Sequence, residues 1–118
     1  MPKTVFITGA SSGIGLAAAQ LFYEKGWNVV ASMRSTDKAV DELGGLDQDR
    51  MLMVRLDVAD HDTIQPAIQE AIAKFKTIDV LVNNAGYSQM GVFEAISREQ
   101  VQAQFDVNLF GMLKTVAN

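Results

Sequence analysis

The stretch TGASSGIG, Thr8 to Gly15, places three glycines and two serines in eight positions, after an apolar run and before a helical pattern. Residues of this kind suit an anion. Gly9 permits a sharp turn out of a strand, Gly13 has no Cβ to block a close phosphate, and Gly15 lets a helix pack tightly on the layer beneath. A helix beginning there turns its first amide N–H groups and the positive end of its dipole toward the loop, and Ser11 and Ser12 add hydroxyl donors. Read by itself, the stretch fits either a phosphate cradle or a tight connection capped by serines. A Walker loop is excluded, because no Gly-Lys-Ser/Thr follows at the required spacing. GIGLAA satisfies G-x-G-x-x-A but starts too far beyond Ile7, and the spacing that suits the strand end is Gly9-xxx-Gly13-x-Gly15.

Four further groups stand out. Arg34 and Ser35 follow an apolar run; the guanidinium can pair bidentately with a phosphate or simply be solvated. Asp57 ends another run, where a carboxylate can cap the next turn, as Asp60 or Asp62 also can. Asn83-Asn84-Ala85-Gly86 ends a third run and reads locally as a turn. Asn108 lies three residues after Phe105 and four before Met112, on the apolar stripe of a helix. A buried asparagine there must be hydrogen-bonded or costs about 1–3 kcal/mol, and taken alone it reads as a satisfied core residue.

The elements that position these groups follow from hydrophobic period. Val5-Phe6-Ile7 reads as a buried strand. Ile14, Ala17, Ala18, Leu21 and Phe22 recur at helical spacing, and that helix is closed by Lys25 and Gly26. Val29–Met33 is a second strand, and a short helix from Thr36 or Asp37 to Leu43 stops at Gly44-Gly45. Met51–Val58 is a third strand with only one apolar face, as befits a sheet edge. Ile64, Ala67, Ile68, Ala71, Ile72 and Phe75 trace a helical stripe, with Pro66 tolerated if the helix starts near Asp62. Ile78–Val82 is a fourth strand; after a loop, Ser97-Arg98-Glu99-Gln100 opens a last helix with a capping box. Strands alternating with helices imply an α/β, doubly wound parallel sheet with helices on both faces.

Composition bounds the function. The 118 residues allow one domain, and 48% hydrophobic with 20% charged residues is ordinary for a globular protein. No run approaches membrane-spanning length, and the N-terminus lacks the apolar segment of a signal peptide. A net charge of -4 disfavours nucleic acid. Without cysteine, and with His61 the lone histidine, no metal site is expected, and cysteine-free composition fits a cytoplasmic location.

TGASSGIG, LDV at Leu56–Val58, NNAG at Asn83–Gly86 and NLFG at Asn108–Gly111 occur in one order, each on the element expected for it. Together they resemble the short-chain dehydrogenase/reductases, over the whole chain. The resemblance implies a Rossmann-type sheet of strand order 3-2-1-4 and an oxidoreductase passing a hydride between a nicotinamide cofactor and a small carbonyl or alcohol substrate. It implies that Gly9, Ser11, Ser12, Gly13, Ile14 and Gly15 hold the pyrophosphate. Asp57 would accept from the adenine amino group and the Val58 N–H would address the ring. Asn83, Ala85 and Gly86 would line the adenosine ribose, Asn83 also tying central strands together. Met33 stands where NAD-dependent members usually carry aspartate, and Arg34 follows as in many NADP-dependent members, so Arg34 and Ser35 imply NADP(H), with NAD(H) second. Asn108 matches the asparagine that orients a water in the proton relay.

The family's catalytic serine and Tyr-xxx-Lys pair have no match. Tyr23 is followed four residues later by Trp27 and Tyr87 by Gly91. Residues 1–118 are therefore expected to be the NADP(H)-binding part of an oxidoreductase, inactive alone. The alternative is a non-catalytic nucleotide-binding or interaction module. With strand order 3-2-1-4, Ile78–Val82 is expected at a bare, apolar edge and the stripe Val101, Phe105, Met112 and Val116 to lose part of its cover, which implies self-association by pairing those edges or by packing last helices together, so a homo-oligomer is expected.

Overall fold

The computed structural model describes residues 2–11, 13–57, 60–83 and 91–94. Strand β1 (Thr4–Ile7) leads through the glycine loop into helix α1 (Gly13–Glu24), then β2 (Asn28–Met33). A 3-10 turn (Thr36–Ala39) and the short α2 (Val40–Leu43) precede β3 (Met51–Arg55); a second 3-10 turn (His61–Thr63) runs into α3 (Ile64–Phe75), followed by β4 (Val80–Asn83) and β5 (Gly91–Glu94).

The sheet order is β3-β2-β1-β4-β5. β3, β2, β1 and β4 are parallel, in register Ile7↔Ala31, Ile7↔Val82 and Met33↔Arg55. Side chains of a strand alternate between faces, and here both faces are covered. Phe6, Val30, Val54 and Leu81 face α3 with Ile64, Ala67, Ile68, Ala71 and Phe75. Val5, Ile7, Val29, Ala31, Met33 and Val82 form the opposite cluster with Ala19 and Leu43, from α1 and α2. Two covered faces explain why the central strands read as unbroken apolar runs. β3 is the edge expected from its half-apolar sequence, with Arg55 exposed. Pro66 is the third residue of α3, where its missing N–H breaks no intrahelical bond.

Three expectations are corrected. β4 is not an edge: β5 pairs with it antiparallel, Val82↔Val92 and Leu81↔Phe93. The sequence pattern gives a loop at Gly91–Glu94, yet Val92 and Phe93 are β-formers, and the short connection from Asn83 allows only an antiparallel return. The inference of self-association through a bare β4 edge falls with it. Asp79, assigned to that strand, precedes it; its carboxylate accepts from Thr4 N (2.7 Å) while its own N–H donates to Thr4 O (2.9 Å).

The third correction is the buried face of α1. Gly15 and Ala19 are its buried residues, while Ile14 and Leu21 are 64% and 52% exposed. Leu16, Ala18, Phe22 and Tyr23 pack beside the buried pair. Small residues four apart let the helix axis approach the sheet, so contact follows size rather than hydropathy. The flanking rings then fix the rotation. Phe22 meets Trp27 edge-on at 4.9 Å, and the Arg50 guanidinium lies 4.3 Å from the centre of the Tyr23 ring. The helix stops as its sequence implies: Gly26 takes φ 91, with Gly26 N donating to Tyr23 O and Trp27 N to Phe22 O, a Schellman closure.

Candidate functional site at the carboxyl edge of the sheet

The parallel register brings the ends of β1, β2, β3 and β4 to one edge, with the loop after β1 where the chain switches from one side of the sheet to the other. Ligands of open α/β sheets bind at such a switch point. Gly9 leaves β1 with φ 65 and Gly13 enters α1 with φ 59, conformations that cost an L-residue about 1–2 kcal/mol. A Cβ built on Gly13 would meet nothing within 4 Å, so the space beside it is open to a ligand. Ser11 is half-buried, Ile14 is exposed and Gly15 is buried.

The loop hangs from both neighbouring strands. Thr8 N donates to Val82 O (3.0 Å) and Ala10 N to Ser32 O (3.0 Å). The Thr8 hydroxyl donates to Asn83 Oδ1 at 3.1 Å, and that of Ser32 donates to Ile7 O at 2.8 Å. All three side chains are buried, where a bonded hydroxyl is retained because an unbonded one is costly. Ser32 was not singled out from sequence. Its signal was present, a lone hydroxyl inside VVASM, but the short apolar run masked it.

Arg34 emerges at the end of β2, exposed, and no carboxylate among the described residues pairs with its guanidinium. Met33 before it is buried among the α1-side cluster. Ser35, half-buried, stands one residue before the 3-10 turn that starts at Thr36. The edge thus carries a cation that no described carboxylate pairs, and no acidic group from Met33 to Thr36. Strands lie about 4.8 Å apart, so β3 is two spacings, about 10 Å, from β1. Leu56 N donates to Met33 O (2.8 Å), which carries the pairing one step past β3 and sets Asp57 beside the end of β2.

Asp57 is held through its backbone. Its N–H donates to Thr63 Oγ1 (2.8 Å), and the Thr63 hydroxyl lies 3.0 Å from Asp57 O and 2.7 Å from Asp60 O. Asp60 caps the 3-10 turn, its Oδ1 accepting from Asp62 N at 3.1 Å. Ser12, Val58, Asn84, Ala85, Gly86 and Asn108 lie outside the described residues, as does the helix expected from Ser97. Among the described residues no three of His, Cys, Asp and Glu are grouped as a metal ion would need, and no helix is long and apolar enough to cross a membrane.

The residues brought together suit a nucleotide carrying a pyrophosphate: an open, glycine-lined loop at a helix start, a carboxylate two strands away, and a cation between. Comparison with known proteins identifies the family. The pattern of the short chain dehydrogenase family matches residues 3–118. An uncharacterized oxidoreductase of Schizosaccharomyces pombe is 34% identical over 110 residues, covering 93% of this chain and 36% of that protein. The crystal structure of a short-chain dehydrogenase from Streptomyces avermitilis superposes with a TM-score of 0.70 at 34% identity, covering 93% of this chain and 40% of that one. A 3-ketoacyl-(acyl-carrier-protein) reductase from Brucella melitensis, solved with NADH, gives 0.62 at 32% identity over 67% of this chain and 32% of that one. The chain spans less than half the length of each of these proteins. On the family match and these likenesses, it belongs to the short-chain dehydrogenase/reductase family.

Proposed function

We propose that these residues are the cofactor-binding part of an NADP(H)-dependent oxidoreductase acting on a small carbonyl or alcohol substrate. When bound, the nicotinamide supplies or accepts the hydride. The observation that carries the reading is Arg34, without a carboxylate partner among the described residues and following buried Met33, at the same edge as the loop of Gly9 and Gly13. A guanidinium there can take a 2′-phosphate in a bidentate, charge-assisted pair, and an aspartate that would favour a 2′-hydroxyl is missing. The Brucella reductase was solved with NADH, so a relative of this fold holds a nicotinamide dinucleotide, and in this reading the choice between NADH and NADPH rests on this edge.

In this reading Gly9, Ser11, Ser12, Gly13, Ile14 and Gly15 hold the pyrophosphate through backbone N–H and hydroxyl groups. Asp57 and Val58 take the adenine, and Asn83, Ala85 and Gly86 line its ribose. Asn108 orients a water for proton transfer. The general acid of the reaction is absent from residues 1–118, since no Tyr-xxx-Lys occurs, so these residues alone bind without turning over. The partners proposed are the small substrate and further copies of the chain, in the cytoplasm, with no nucleic acid and no membrane. Titration of NADPH and NADH by calorimetry tests the cofactor assignment. NADPH is expected to bind at least tenfold tighter; equal affinities, or tighter NADH, would refute it.

A further inference from the structure

Thr63 occupies the N-cap position of α3, where a threonine side chain ordinarily accepts from its own helix. It makes no such bond. Its buried hydroxyl reaches back across the loop: it accepts from Asp57 N at 2.8 Å and sits 3.0 Å from Asp57 O and 2.7 Å from Asp60 O. A hydroxyl has one proton, shared here between two carbonyls, and its lone pairs serve the Asp57 amide. Two backbone bonds close the same turn, Asp60 N to Asp57 O (2.9 Å) and Thr63 N to Asp60 O (3.1 Å). On the other side, Leu56 is tied to Met33 O. The backbone at Asp57 is therefore fixed from β2 and from α3 at once.

The geometry points to Thr63 as a positioning residue for the adenine end of the cofactor site. It never touches the ligand; it holds the Asp57 backbone where the carboxylate can address the ring. Helix α3 has no side-chain cap at Thr63, and Asp60 caps the 3-10 turn before it by accepting from Asp62 N. This inference rests on the reading that Asp57 faces adenine.

The test uses Thr63→Val, which keeps shape and removes the hydroxyl, Thr63→Ser, which keeps the hydroxyl, and Ile68→Val, a truncation in the buried core of the same helix. NADPH and ADP are titrated by calorimetry; ADP carries adenine without a 2′-phosphate, so the outcome is independent of Arg34. Thr63→Val is expected to weaken both ligands at least fivefold, Thr63→Ser to stay within twofold of the unsubstituted protein, and Ile68→Val to do likewise while lowering thermal stability. Thr63→Val within twofold, or Ile68→Val weakening the ligands as much as Thr63→Val, overturns the positioning role alone. Failure of the unsubstituted protein to bind either ligand overturns the cofactor reading and this inference with it. Hydrogen exchange of the unsubstituted protein decides the matter should Thr63→Val fail to fold. The Asp57 amide is expected to exchange at least a hundredfold slower than an open amide, and slower again with saturating ADP; an unprotected or ADP-insensitive Asp57 amide overturns the inference.

Discussion

Substituting Gly13 by alanine separates what the loop needs for folding from what it needs for binding. Gly13 has φ 59, where an alanine costs about 1–2 kcal/mol, partly offset by about 0.4–1 kcal/mol from the stiffer unfolded chain. The net loss of stability is then roughly 0–1.6 kcal/mol by these two terms. No clash adds to it, since the new Cβ meets nothing within 4 Å. Gly26 provides the matched control: φ 91, the same open surroundings, and a place at the far end of α1. Urea unfolding should give Gly13→Ala and Gly26→Ala comparable losses. Calorimetry with NADPH should not. At Gly13 the methyl enters the space assigned to the pyrophosphate, and affinity should fall at least tenfold, about 1.4 kcal/mol, whereas Gly26→Ala should bind as the unsubstituted protein does. Equal NADPH affinity in the two variants would show that nothing approaches the loop at Gly13.

The rotated face of α1 predicts opposite responses two residues apart, on opposite sides of the helix. Ala19→Leu, at a fully buried position, should cost about 1–3 kcal/mol by overpacking, and Leu21→Lys, at an exposed one, within about 0.5 kcal/mol; urea unfolding giving the reverse order would restore the face expected from sequence. The 118-residue chain should oxidise no NADPH with simple ketones or aldehydes above the uncatalysed background. Measurable turnover lost on Asn108→Ala would show that the proton donor has been misassigned.

The parallel part of the fold was legible because strands covered on both faces and the single amphipathic stripe of α3 leave unambiguous patterns. The strand order came through resemblance, since nothing local to β1 says that β2 and β4 flank it. What sequence missed depends on pairing and on size. Gly91–Glu94 looks like loop until β4 offers its edge, and four residues carry too little period to announce a strand. In α1 the large apolar residues Ile14 and Leu21 dominate any hydropathy pattern, while the contact belongs to Gly15 and Ala19. At the site, glycines and Arg34 could be named from type and spacing. The hydroxyls of Thr8, Ser32 and Thr63 could not, because their partners are backbone atoms and an asparagine brought close only by the fold.

The central claim is that the carboxyl edge of the sheet recognises a 2′-phosphorylated nicotinamide dinucleotide through Arg34. Calorimetric titration of NADPH and NADH against the protein and its Arg34→Ala variant tests it most directly. Loss of a charge-assisted pair is worth about 1.5–3 kcal/mol, so NADPH affinity should fall roughly 10- to 150-fold and NADH affinity change by less than about threefold, erasing the preference. An equal loss for both cofactors, or no loss for NADPH, would contradict the account.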